Sequence, residues 1–148
     1  MKSKLGFFVH PVPMAAVILM AVNDHLLKYS YSGWFTGKLS DFCGIFYLPI
    51  FILAIQVAIC SVLNFQRLNI FIVSRTNLLL SIVFTDLLLI AVKLSPAFAR
   101  SVESFFSSHL FRIQMVQDPT DLLALLVNPL TYYFVLRRWA ELEGKLTT

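Results

Sequence analysis

A chain of 148 residues with 58% hydrophobic and 14% charged side chains is far more apolar than a soluble domain, where about a quarter of residues carry charge. Its net charge of +4 does not describe a nucleic-acid surface, because no Lys/Arg run exceeds Arg137-Arg138 and the basic residues flank apolar blocks, as topology charges do. Mean hydropathy is +0.78 and the apolar residues come in blocks; a spanning helix needs about 20 of them. The expectation is an all-α polytopic membrane protein: a single integral membrane domain over 1–148, built as a four-transmembrane-helix bundle, with no nucleic-acid partner.

The first block, MKSKLGFFVHPVPMAAVILMAVN, has the basic start and apolar core of a signal peptide. No small-x-small cleavage site follows the core, so it reads as a retained span over about 9–27, opened by Pro11 and Pro13. A second span covers about 42–63; Gly44 and Pro49 inside it are tolerable where neighbours satisfy the freed backbone groups. Cys43 and Cys60 share that helix, about 25 Å apart along its axis, too far for a disulfide. A third span covers about 77–94 and a fourth about 121–136, extendable by Trp139 at the interface.

Between the third and fourth spans, Phe98, Val102, Phe105, Phe106, Leu110, Phe111 and Ile113 recur mainly in steps of three and four, with Arg100, Glu103 and Ser107 interleaved. That pattern predicts an interfacial amphipathic helix lying in the membrane surface. Four spans put both termini and the central connector on one side, with Lys2, Lys4, Arg67, Arg75, Arg137, Arg138 and Lys145. Lys28, Lys38, Lys93, Arg100 and Arg112 fall on the other, so the positive-inside bias favours cytoplasmic termini.

On that topology the polar stretch NDHLLKYSYSGWFTGKLSDF, together with Lys93, Asp118 and Asp121, lies at the outer end of the bundle. Asp86 sits deeper, about 12 Å inside the end of the third span. A carboxylate at that depth costs a few kcal/mol and must face protein, water or a partner charge. It reads as a proton carrier, ligand or catalytic acid, or else as a buried structural acid, with Lys93 two turns outward as one candidate partner. Asp24 and Lys28 stand at i and i+4, the orientation of an ion pair; alternatively Asp24 turns inward towards Asp41, Asp86 and Asp121. DPTD has the form of a helix start, with Asp118 as N-cap, Pro119 first and Asp121 in the dipole-favoured first turn; Ser40 reads likewise as the cap of the second span. Several carboxylates with one His could hold a divalent cation, but no zinc-type spacing is present, so metal and cofactor stay open.

The motifs NDHLLK, TGKLSDFCG and DPTDL resemble those of a family of small, uncharacterised bacterial membrane proteins carrying N-D-H-x-x-K, T-G-K-L-S-D-F-x-G and D-P-T-D-L. That resemblance implies a bacterial inner (cytoplasmic) membrane location and supplies no activity. Asp24, His25, Lys28 and Asp121 are also similar in type to the ionisable residues of the VanZ-like family, with Leu125 standing where that family carries Asn.

The resulting expectation is an inner-membrane protein of the cell envelope with an outward-facing polar pocket that binds or modifies an anionic lipid or envelope precursor. Asp24, His25, Asp41, Asp86 and Asp121 are the candidate acid-base or catalytic groups. Asn23, Lys28, Lys38, Ser40, Lys93 and Asp118 are the candidate substrate-binding groups. A non-enzymatic subunit of a larger membrane complex, with other membrane proteins or a second copy as partner, is the alternative. A small proton-coupled transporter centred on Asp86 is the third reading.

Overall fold

The computed structural model describes residues 6–31, 33–63, 74–109 and 116–144, with the side chains of 142–144 excepted. All regular elements among them are helical. Leu110, Phe111 and Ile113 of the amphipathic stripe lie outside the described residues, as do Lys2, Lys4, Arg67, Arg112 and Lys145 of the charge argument.

Helix α1, Pro11–Val22, starts where His10 accepts the Val12 N–H at 3.3 Å, and its two prolines occupy positions whose N–H groups need no helical partner. The chain then continues into a π-helical turn, Asn23–Leu27, and a last α turn, Lys28–Ser30. The first predicted span is thus a continuous helical run of changing winding, not one uniform helix of spanning length. Among the described residues, three helices are long and apolar enough to cross a membrane: Trp34–Val62, Arg75–Leu94 and Pro119–Glu141.

Helix α2, Trp34–Val62, begins about two turns before the expected start at residue 42. Its N-cap is Gly33, whose N–H donates to Thr36 Oγ1 at 3.1 Å, so Ser40 lies inside the helix and caps nothing. The helix extends outward because its early polar side chains Lys38, Ser40 and Asp41 are satisfied by other segments. Both cysteines lie in α2, free and buried, and Pro49 is accommodated without ending it.

Helix α3, Arg75–Leu94, is capped by Ser74, which accepts the Asn77 N–H at 3.2 Å. Helix α4, Pro96–His109, forms where the amphipathic stripe predicts a helix; it packs on α3, buries Ala99 and exposes Phe98 and Phe105.

The last span changes winding midway. Asp118 caps it by accepting the Thr120 N–H at 2.9 Å, but the first nine residues, Pro119–Val127, form a 3₁₀-helix before α5, Asn128–Gly144. Burial follows the winding. Asp121 and Ala124 are buried at spacing three, as 3.0 residues per turn require; Thr131, Val135 and Trp139 are buried at spacing four.

α2 is the central element, touching α1, α3, the 3₁₀ segment and α5. The apolar core lies along its middle: Phe46, Ile50 and Leu53 pack with Phe7, Leu78, Ile82, Val135 and Trp139. Small polar residues share the packed face of α3, where Ser81 donates to the Asn77 carbonyl (2.9 Å) and Thr85 to the Ser81 carbonyl (2.8 Å). Such residues let helices approach closely in a membrane.

Candidate functional site

The first two turns of α2 carry polar side chains on two sides. At 100° per residue, Thr36 and Ser40 share one face, while Lys38 and Asp41 share another roughly 150° away. The two faces serve different neighbours.

The Thr36/Ser40 face meets α1. Asn23 is fully buried, and its Nδ2 donates to the Thr36 carbonyl and to Ser40 Oγ, each at 2.8 Å. Ser40 Oγ in turn donates to Asp24 Oδ1 at 2.5 Å, and Asp24 also pairs with Lys28 at 2.6 Å. The π turn lets two consecutive residues, Asn23 and Asp24, reach the same Ser40 hydroxyl. Extra residues per turn of this kind recur at functional sites. Asn23 Oδ1 is buried without a hydrogen-bond partner among the described residues.

The Lys38/Asp41 face meets α3 and the 3₁₀ segment. Lys38 Nζ pairs with Asp118 at 2.5 Å and with Asp121 Oδ1. Lys93 Nζ takes the other Asp121 oxygen at 2.5 Å, lies 3.4 Å from Asp41 Oδ2 and donates to the Val116 carbonyl at 3.3 Å. Asp121 therefore bridges two ammonium groups, one per oxygen. The 3₁₀ winding explains why both Asp118 and Asp121 reach Lys38, since side chains at i and i+3 eclipse in that helix. Gln117 ties the same corner to α3 by donating to the Val92 carbonyl at 2.9 Å.

Burial is graded across this network. Lys38, Lys93 and Asp121 side chains are 5%, 11% and 6% exposed, whereas Asp118 is 42% exposed, so the lysines lie beneath an acidic edge. The Lys38 ammonium, with the Thr120 hydroxyl and N–H, holds the Asp118 carboxyl far below the usual carboxylate range. Two lysines against three aspartates leave the group one negative charge, with every ammonium matched inside the chain.

The structure gathers Lys38, Asp41, Lys93, Asp118 and Asp121 into one network, and Asn23, Asp24, Lys28 and Ser40 into a second across α2. Asp24 takes the local pairing with Lys28, and not the inward turn towards Asp41 and Asp121, because Ser40 already anchors it to the opposite face of α2. His25 is exposed and joins neither network. Asp86 joins neither network: its carboxylate accepts Asn128 Nδ2 at 2.9 and 3.0 Å, about 10 Å along α3 from Lys93.

Several partners escaped the sequence reading. Asn128, in LLALLVNPL, was detectable as an amide interrupting an apolar run. Thr36 and the Val116 carbonyl carry no comparable signal, since their roles depend on where other segments arrive. Among the described residues, no group of three or more His, Cys, Asp or Glu side chains is placed to hold a metal ion. As for known proteins, no family model matches the chain, and neither a curated protein nor a solved structure is similar to it.

Proposed function

We propose that this is a four-span bacterial inner-membrane protein, both termini cytoplasmic, that binds a phosphate-bearing anionic lipid or envelope precursor at its periplasmic rim. The carrying observation is that three separate segments bring five ionisable side chains together at one end of a membrane-length bundle. In this reading the helical run from Pro11 to Ser30 is the first span, and α4 lies in the outer interface. Lys38 and Lys93 are paired and at most 11% exposed, so the headgroup contact falls to Lys28, which is also paired, with Asp24, but whose side chain is 41% exposed. The buried network then serves as the rigid floor of that rim. This favours binding over catalysis.

The test is headgroup selectivity. The protein is reconstituted in vesicles of equal phosphatidylethanolamine and phosphatidylglycerol, extracted in mild detergent and weighed intact with its bound lipid. Lipid enrichment in the wild type that Lys28→Gln abolishes supports the reading. Bound lipid mirroring the vesicle composition in both proteins refutes it.

A second reading, a non-enzymatic subunit of a larger assembly, is favoured by the exposed apolar face of α3, where Leu79, Leu80, Val83, Phe84 and Leu87 are all uncovered. It predicts a defined protein partner at stoichiometric mass in the same extract.

A further inference from the structure

Asp86 lies near the middle of α3, about 16 Å along the axis from Arg75 and about 10 Å from Lys93. Among the described residues its carboxyl forms no ion pair, and Asn128 Nδ2 supplies both of its hydrogen bonds, at 2.9 and 3.0 Å. Every other described aspartate is matched to an ammonium: Asp24 by Lys28, Asp41 by Lys93, Asp118 by Lys38, and Asp121 by both Lys38 and Lys93. The partner amide has a defect of its own. Asn128 Oδ1 is buried and accepts no hydrogen bond among the described residues.

The side chains around this pair are engaged elsewhere. On α3 the Thr85 hydroxyl donates to the Ser81 carbonyl at 2.8 Å, and on α5 the Thr131 hydroxyl turns back to the Val127 carbonyl at 3.4 Å. Tyr132, one turn beyond Asn128, packs on the apolar core, and Tyr133 is exposed. On α2 the titratable group at this depth is Tyr47, whose ring stacks on Phe51 and tilts against Phe8; Cys43, one turn nearer the rim, is buried and free. At the start of α1 the His10 ring lies against Phe134. Asp121, about 14 Å from Asn128 along the 3₁₀ segment, is held by its two lysines.

We infer that Asp86 and Asn128 form a proton-binding site, in which Asp86 carries one proton at neutral pH and meets the Asn128 amide as a carboxylic acid. An ionised Asp86 leaves two defects: a charge inside a spanning helix without a counter-charge, and a buried amide oxygen without a donor. Turning the amide over does not help, since its oxygen would then face two acceptor oxygens. One proton removes both defects. A carboxylic acid presents one donor and one acceptor, as the amide does, so its O–H donates to Asn128 Oδ1 while Nδ2 keeps donating to the acid's carbonyl oxygen. Nδ2 is already within hydrogen-bond distance of both Asp86 oxygens, so a small rotation of the Asn128 side chain completes the pair. A carboxyl withdrawn from water takes up a proton in preference to keeping an unpaired charge. The ligand suits the place too, because a proton needs no cavity beside the shielded oxygen. Asn128 is the residue at which the 3₁₀ run gives way to α5, so the bound proton ties α3 to the point where the last span changes winding. The inference needs α3 to span a membrane and makes no use of the lipid-binding reading at the rim.

The experiment is infrared spectroscopy of the purified protein in a carbonyl-free detergent, where a protonated carboxyl shows a C=O stretch above the amide and carboxylate bands. At neutral pH wild type shows this band. Asp86→Asn removes it, and Asp41→Asn, which deletes the carboxyl paired with Lys93, leaves it in place. Asn128→Leu and Asn128→Ala each keep the band and move it to higher frequency, because the acid's C=O has lost the Nδ2 donor. Two replacements are made so that one misfolded variant leaves the other to decide, with folding checked by circular dichroism. Folded wild type without the band at neutral pH overturns the inference; an ionised Asp86, with a water on Asn128 Oδ1, would give that result. So does a band that persists in Asp86→Asn, vanishes in Asp41→Asn, or keeps its frequency in the folded Asn128 variants.

Discussion

Asp121→Asn removes one charge at the centre of the ionic network and almost nothing else. The native carboxylate gives one oxygen to Lys38 and the other to Lys93, and its side chain is 6% exposed. An amide of the same shape can accept from one ammonium, but its NH₂ then faces the other, donor against donor. Breaking a buried pair by removing one partner costs about 3–5 kcal/mol. Lys38 keeps Asp118 and Lys93 keeps Asp41 and the Val116 carbonyl, which places the loss near the lower end, about 3 kcal/mol. For a chain of this size 1 kcal/mol moves the melting temperature by roughly 2–4 °C, so a drop of about 6–12 °C in detergent is expected. A double-mutant cycle with Lys93→Met isolates the pair: the double variant loses less than the sum of the singles, with a coupling of about 1–3 kcal/mol. Additivity within about 0.5 kcal/mol, or a wild-type melting curve for Asp121→Asn, refutes the buried-network account.

Asn23→Ala removes both 2.8 Å bonds from a fully buried amide and leaves a small void, costing about 2–3 kcal/mol in the same melting assay. Asp86→Asn retains an amide partner for Asn128 and melts within a few degrees of wild type, whereas Asp86→Leu strands the Asn128 side chain and lowers stability by about 1–3 kcal/mol. Asp118 is held low by Lys38, so its contribution is present above the ordinary carboxylate value near pH ~4 and is lost as pH falls towards the depressed folded-state value. Melting temperature therefore declines below about pH 4, and Asp118→Asn flattens that acid limb.

The helical membrane character was legible because blocks of apolar residues admit few alternatives once about 20 occur together. So was the DPTD cap, a local device that Asp118 and Thr120 complete between themselves. The start of α2 was not, because a helix capped at Ser40 and one capped at Gly33 differ in whether Lys38 finds its carboxylates, which arrive from residues 80 and 83 positions away. The grouping of Lys38, Lys93 and Asp121 followed from hairpin topology; the separation of Asp24 from them did not, because it depends on which face of α2 each segment meets. Changes of winding are harder still. Neither the π turn at Asn23 nor the 3₁₀ run after Pro119 has a composition that marks it, and both are set by what the side chains reach across the bundle.

The 3₁₀ run has a mechanical consequence. Over the seven steps from Asp121 to Asn128 it advances about 14 Å; rewound as α-helix it would shorten by about 3.5 Å and swing Asp121 by roughly 140° about the axis. The two lysines and the Asp86–Asn128 contact thus clamp the segment at both ends, holding it stretched and overwound relative to α-helical pitch. Loosening either clamp lets the segment rewind to α-helical pitch, which draws the polar end of the bundle towards its middle.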